Sequence, residues 1–364
     1  MVSADYVITD EERFGTDAGV SRDAVALLRS SEVVDLHVES FIPPRLFGYD
    51  LHRRHAKRGP LRGHFFGHLD FPRALDAGLT GAMWSISTNI ARSASSRLRV
   101  FRSNVDRLKA EIEATGGRMR VVHDFAEYKH ARAEGVHAAL LSVQGGNCYE
   151  AASEGPAVIA DNSILRVTVV HLSNSCYGAT SSPLSFLKGA EGMTTAGREF
   201  VERLNEKRIF VDLAHINVPG FWDAMEVHDK TQPVLVTHTG VTGVKDMWRN
   251  INDDQIRAVA DTGGVVGVIF QAGFLTRSGG PRDGRMVVEH MSHVVDVVGE
   301  DFVAIGSDYD GAIIPPADLR NGTFGYVRLV QYMLDAGWSD TRIRKVLGLN
   351  FLRSFKMLRP GNES

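Results

Sequence analysis

Two aliphatic runs in this chain each stop on a histidine. Ile209-Phe210-Val211-Asp212-Leu213-Ala214 ends on His215, and Pro233-Val234-Leu235-Val236-Thr237 ends on His238, with a helix's worth of residues between them. That pattern is a βαβ unit presenting two imidazoles at neighbouring strand ends. A third run, Val33-Val34-Asp35-Leu36-His37-Val38, places His37 and Glu39 on one side by the strand period of two, a chelating arrangement. Three more runs stop on polar groups: Ala138–Val143 on Gln144, Leu165–Val170 on His171, and Val303–Gly306 on Ser307-Asp308. Imidazoles and a carboxylate are the ligands of a hydrolytic Zn²⁺-type site, which keeps one position open for water and lowers its pKa toward neutrality. Asp308 next to such water is placed to take its proton and return it to a leaving group. Asp310 suits a turn carboxylate better. His52, His55, His64 and His68 lie in a long basic loop with no carboxylate or cysteine at ligand spacing, and read as solvated or packing residues.

The elements that position these residues are eight aliphatic strands alternating with helices. To the six runs above, Gly81–Thr88 and Gly264–Phe270 add strands 2 and 7. A charged helix around 97–114, a short Met119–Val122 piece and a helix near 124–134 separate strands 2 and 3. The pattern predicts an α/β fold, a (β/α)8 TIM barrel with its polar strand ends at one mouth. Residues 1–31 form a lead-in, 32–311 the barrel core and 312–364 extra C-terminal helices, all in one domain over 1–364.

Composition excludes several partners. Net charge is −3 over 364 residues, so there is no bulk field for nucleic acid or an acidic membrane. No run of eighteen apolar residues and no secretory leader pattern is present, so no membrane association is expected. Two cysteines, Cys148 and Cys176, give no disulfide framework and fit a reducing cytoplasm. The expected partner is a small molecule or dipeptide, with a homodimer left open.

With these residues in place, the chain resembles the membrane (renal) dipeptidase family of metal hydrolases over most of residues 30 to 355. Asp35-Leu36-His37, His68–Arg73, Gly81–Ser85, Thr194–Glu199, Val211–His215, Pro233–His238, Ile305–Gly311 and Gly348–Arg353 carry the resemblance in order. It implies the same barrel with two zinc ions at its mouth, and a metal-activated hydroxide cleaving dipeptides or dipeptide-like N-acyl amino acids. It makes His37 and Glu39 ligands of one metal and His215 and His238 ligands of the other. Gln144 stands at the glutamate that bridges both. His171 matches a histidine at the scissile bond, Asp308 the acid/base, and Arg249 an arginine that grips the substrate carboxylate, with Asn250 beside it.

Two positions depart from the family. Glu39 is one methylene longer than the usual aspartate. Gln144 offers one neutral oxygen and an NH₂ that repels cations, so it cannot bridge two dications. The expected cofactor is therefore one or two Zn²⁺, with the second site weakened by Gln144 and the anionic Glu39 making the His37/Glu39 position the better held. Two alternatives stay open: a specialised member with a single metal acting on another amide, a lactam or an ester, or an inactive binding homologue.

Overall fold

The computed structural model describes residues 10–39, 41–55, 64–153, 155, 162–183 and 191–362. Among them the strands are β1 (Val34–Val38), β2 (Gly81–Ser87), β3 (Met119–Val121), β4 (His137–Gln144), β5 (Ile164–Thr168), β6 (Phe210–Asp212), β7 (Leu235–Thr239), β8 (Val265–Val268) and β9 (Val303–Ile305). All pairings between them are parallel, in the order β2-β1-β9-β8-β7-β6-β5-β4, and β2 closes the ring on β4 from Gly81↔Ala138 to Ser87↔Gln144. Closure leaves no edge of the eight-strand ring unpaired and makes it a (β/α)8 barrel. Every residue of the eight ring strands is buried, as expected where helices cover the outside and side chains fill the inside.

The short Met119–Val122 piece is the ninth strand, β3. It pairs only with the first residues of β4, Met119↔His137 to Val121↔Ala139, and β5 takes over from Leu141. Three residues are too few to span the ring. The lead-in forms two helices, Glu11–Ala18 capped by Asp10 and Arg22–Arg29 capped by Ser21, the second packed on the C-terminal helix Gly322–Asp335. The last expected helix is continuous in direction but built in three pieces: Asp340–Arg344, a wider turn over Lys345–Leu349, and Asn350–Leu358. Lys57, Arg58 and Arg62 of the basic loop lie outside the described residues.

The interior is layered. Met83, Leu140, Phe210 and Leu235 form one apolar cluster with Phe351, Phe355 and Leu358 of the C-terminal helix, which plugs the end of the barrel away from the site. Arg359 seals that end by donating to the carbonyls of His123, Asn162, Ile164 and Arg208. Two residues further along the same strands, the period of two brings Ser85, Ser142, Asp212 and Thr237 to the next layer, where Arg166 of β5 joins them. The mouth lies above that polar layer.

Gly306, just past β9, fits tightly against β7, because a Cβ there would run into the Thr237 carbonyl. A Gly306→Val protein is expected to lose roughly 1–3 kcal/mol or more of stability through overpacking against backbone that cannot retreat. Urea unfolding checks this; an unchanged midpoint would mean the barrel accommodates the side chain.

Candidate metal and hydrolytic site

The base of the site is an ion pair with no exposure on either side, Arg166 Nη1 to Asp212 Oδ2 at 3.1 Å. Asp212 also accepts from the hydroxyls of Thr168 (2.6 Å) and Thr237 (2.7 Å) and from the amides of Thr237 (3.0 Å) and Ala214 (3.1 Å). Arg166 reaches the Val143 carbonyl (3.2 Å), Ser142 Oγ (3.1 Å), Ser85 Oγ (3.4 Å), Gln144 Oε1 (3.4 Å) and His37 Nδ1 (2.7 Å). Such coverage is what makes a buried charge pair tolerable.

This network fixes proton positions above it. Thr237 spends its hydroxyl hydrogen on Asp212, so at 2.9 Å it accepts from Nδ1–H of His238 and leaves His238 Nε2 with a free lone pair. A ligating imidazole has that polarity, its far nitrogen donating to an acceptor. His215 Nε2 lies 2.8 Å from His238 Nε2, close enough for both to reach one ion at about 2.1 Å. Gln144 faces the pair with its amide nitrogen, 3.0 Å from His215 Nε2 and 3.1 Å from His238 Nε2. Arg166 sets that orientation, since the reversed amide would place NH₂ against the guanidinium instead of Oε1. His215 and His238 therefore fit a divalent metal, with Gln144 turned unhelpfully. His37 has the opposite polarity: its Nδ1 meets a group that only donates.

Burial pushes His37, His215 and His238 well below the usual imidazole range, helped by Arg166 at His37 and by Arg249 at His215. It also takes His171 down to about 3. All four are neutral near pH 7. The carboxyls move the other way. Burial raises Glu39 to about 8 against the pull of Arg45 and Arg166, and raises Asp308 well above the usual carboxylate range with Glu39 adding to it.

Asp308 Oδ1 lies 3.4 Å and Glu39 Oε1 3.8 Å from His37 Nε2. His37, His238 and Asp308 bring potential ligand atoms within 4.8 Å of one another, the one such trio among the described residues. The ring of His37 stacks on that of His238 with centroids 3.9 Å apart. Asp35 builds this corner by accepting from the amides of His37 and Ser307, both at 3.0 Å, and from Tyr326 at 2.6 Å, which ties the β9 loop to β1. Asp308 and His215 both hold left-handed backbone, at φ 58° and 67°, a conformation that costs energy outside glycine and collects at functional sites. Gly311 makes room for it, since a Cβ there would strike the Asp308 carboxylate.

His171 stands two to three residues beyond β5, its ring edge-on to His215 at 4.6 Å. Arg249 is buried, with Nη2 donating to the His238 carbonyl at 2.8 Å and Nε without a protein partner. That bond holds it beside the strand end that carries His238. Asn250 is different. Both of its amide hydrogens go to backbone carbonyls, Lys245 (2.9 Å) and Phe274 (3.0 Å), which ties two loops together, and only Oδ1, the atom left for the expected substrate contact, is uncommitted. Asp310 accepts from the His68 and Leu69 amides and clamps that loop, while His55 stacks on Tyr49. Cys148 is buried and Cys176 exposed, and neither belongs to the ligand trio.

Sequence reasoning missed Arg166, Asp212, Thr168 and Asp35 as parts of the site. One signal was available: each is a polar residue inside an aliphatic run, and on Arg166, Thr168 and Asp212 the period of two points inward.

The family model for "Membrane dipeptidase (Peptidase family M19)" matches residues 21–360. An uncharacterised protein in the pqqA 5′ region of Klebsiella pneumoniae is 30% identical over 256 residues, covering 68% of this chain and 92% of its own length. Among solved structures, the dipeptidase AC superposes with a TM-score of 0.79 at 24% identity, covering 91% of this chain and 100% of its own. A metallopeptidase of Rhodobacter sphaeroides, liganded with a phosphinate mimic of the dipeptide L-Ala-D-Ala, gives 0.77 at 25% identity, covering 90% and 99%. With a matching family model over nearly its whole length and the barrel and strand-end residues in place, the chain belongs to the membrane dipeptidase family of metal-dependent hydrolases.

Proposed function

We propose that the protein hydrolyses the amide bond of dipeptides or dipeptide-like N-acyl amino acids that carry a free C-terminal carboxylate. The carrying observation is Arg249, a buried guanidinium with an uncommitted Nε–H, tied through Nη2 to the His238 carbonyl at the mouth. A guanidinium so placed is a carboxylate clamp, and a fixed cation is costly to bury without an anion to receive. The ligand of the Rhodobacter sphaeroides relative supports the substrate class, and makes a D-residue at the C-terminus the first stereochemistry to assay.

His215 and His238 hold the metal in this reading, and zinc suits their nitrogen donors. Bound there, it supplies a Lewis acid for the scissile carbonyl and acidifies water. Gln144 lowers the affinity, because its NH₂ faces the position and its oxygen is engaged by Arg166. Arg249 orients the substrate through its carboxylate. His171, neutral and edge-on to His215, lies beside the scissile bond, where Nε–H or Nδ–H can donate to the developing oxyanion. Asp308, raised by burial, takes a proton from attacking water and returns it to the leaving amine. The free cysteines fit a cytoplasmic setting, and no described helix is long and apolar enough to cross a membrane.

Asp308→Asn is expected to abolish turnover, at least 100-fold in kcat, while metal content and melting temperature stay near those of the parent, since asparagine tolerates the left-handed backbone as aspartate does. Loss of metal together with activity would make Asp308 a ligand instead. Arg249→Met is expected to impair substrates with a free carboxylate by about two orders of magnitude in kcat/KM, corresponding to roughly 2–3 kcal/mol for a lost charge-assisted pair. Much of that gap should close when the C-terminus is amidated. An equal loss on both substrates would show that Arg249 acts by holding the His238 carbonyl.

A further inference from the structure

We propose that Arg166 takes the place of one of the two metals expected of this site: its guanidinium closes the His37/Glu39 half, and the chain holds a single divalent ion on His215 and His238. The inference rests on the metal-hydrolase reading and concerns how many ions that hydrolase carries and where.

The argument is one of hydrogen-bond polarity. Arg166 Nη2 is 2.7 Å from His37 Nδ1, and a guanidinium has five donors and no acceptor. Nδ1 of His37 is therefore the acceptor, and the single proton of the neutral ring sits on Nε2. A metal ligand needs a lone pair at that atom. Nε2 lies near two carboxyls, Asp308 Oδ1 at 3.4 Å and Glu39 Oε1 at 3.8 Å, without a hydrogen bond to either. Arg166 cannot easily turn away. Nη1 is held by Asp212 and the Val143 carbonyl, and Nη2 by Ser142 as well as by His37, all inside the barrel with no exposure.

The His238 half shows the reverse polarity, with Nδ1–H given to Thr237 and Nε2 left as an acceptor that faces His215 Nε2 and the Gln144 amide nitrogen. Two histidines stacked at 3.9 Å thus carry their protons at opposite ends, one as a donor and one as a ligand. Both Glu39 oxygens lack a protein partner, and that alone suits a cation. An ion there would have to do without the imidazole and would stand close to a fixed guanidinium. The structure therefore reverses the ranking that Glu39's charge suggests from sequence. His37 becomes a positioning residue, its ring set by Arg166 beside the Asp308 carboxyl at the mouth.

Gln144 belongs to the same arrangement. A glutamate at 144 would find Arg166 already pointing at one of its oxygens, and would pair with the guanidinium before recruiting an ion. Restoring the carboxylate is then insufficient while Arg166 remains.

The full-length protein, stripped of metal, is titrated with Co²⁺ and followed by its visible absorption, and zinc retained after dialysis is counted by mass spectrometry. The expected break is at one equivalent for the parent chain. His37→Ala should keep one equivalent and His238→Ala should retain almost none. Gln144→Glu should stay at one, and Gln144→Glu with Arg166→Met should rise to two. A break at two in the parent, no binding in the parent, or loss of the ion in His37→Ala would overturn the proposal. Because the parent titration needs no variant, misfolding of the Arg166→Met protein leaves the answer decidable. One bound ion with no hydrolysis of any dipeptide or N-acyl amino acid would defeat the proposed reaction and leave this inference standing. Two bound ions with hydrolysis would do the opposite.

Discussion

The ion pair between Arg166 and Asp212 is the interaction on which the site depends. It lies between an apolar plug and a polar mouth, fully out of water, and it touches β2, β4, β5, β6 and β7 directly or through one hydroxyl. Coulomb attraction alone rarely offsets the desolvation of two such charges. Here the two threonine hydroxyls, two serine hydroxyls, two backbone amides and one carbonyl replace much of the solvation that water would have given, and Arg166 Nε alone of the pair's polar atoms stays without a partner. The pair has one arrangement, and everything above it inherits that rigidity.

Rigidity matters because it propagates as proton placement. Asp212 fixes the Thr237 hydroxyl, Thr237 fixes the His238 tautomer, and Arg166 fixes both the Gln144 amide and the His37 tautomer. Four side chains that look equivalent as potential ligands become distinct. His238 offers its Nε2 lone pair toward His215, Gln144 turns its amide nitrogen to both, and His37 gives its Nδ1 lone pair to Arg166. A preorganised site of this kind spends its reorganisation energy during folding instead of at the moment of reaction.

The barrel supplies the second constraint, close approach. The left-handed backbone of Asp308 and His215 turns both side chains back over the mouth, and the glycine at 311 leaves the space that the Asp308 carboxylate occupies. Asp35 and Tyr326 then lock the β9 loop to β1, so that Asp308 and His37 meet although they stand at opposite ends of the barrel sequence. The C-terminal helices serve the same end from below, with Phe351 and Phe355 filling the barrel floor so that the polar layer stays dry.

By itself the sequence determined the architecture and most of the mouth. Eight aliphatic runs with helices between them specify a parallel barrel, because fully buried strands and helical spacers allow few other closures. Residues that end those runs must share one rim, so His37, Glu39, Gln144, His171, His215, His238 and Asp308 were legible as a set. What the tertiary structure alone decided is which of them face which. The period of two puts Arg166 inside the barrel but does not say whose nitrogen it will meet, since that depends on ring closure between β2 and β4 and on the register of β5 against β6. Composition likewise cannot separate Asn250, which spends its amide on two carbonyls, from Arg249 beside it, whose Nε is uncommitted. Hydrogen-bond polarity is a property of neighbours in space, and for His37 the neighbour lies 129 residues away along the chain.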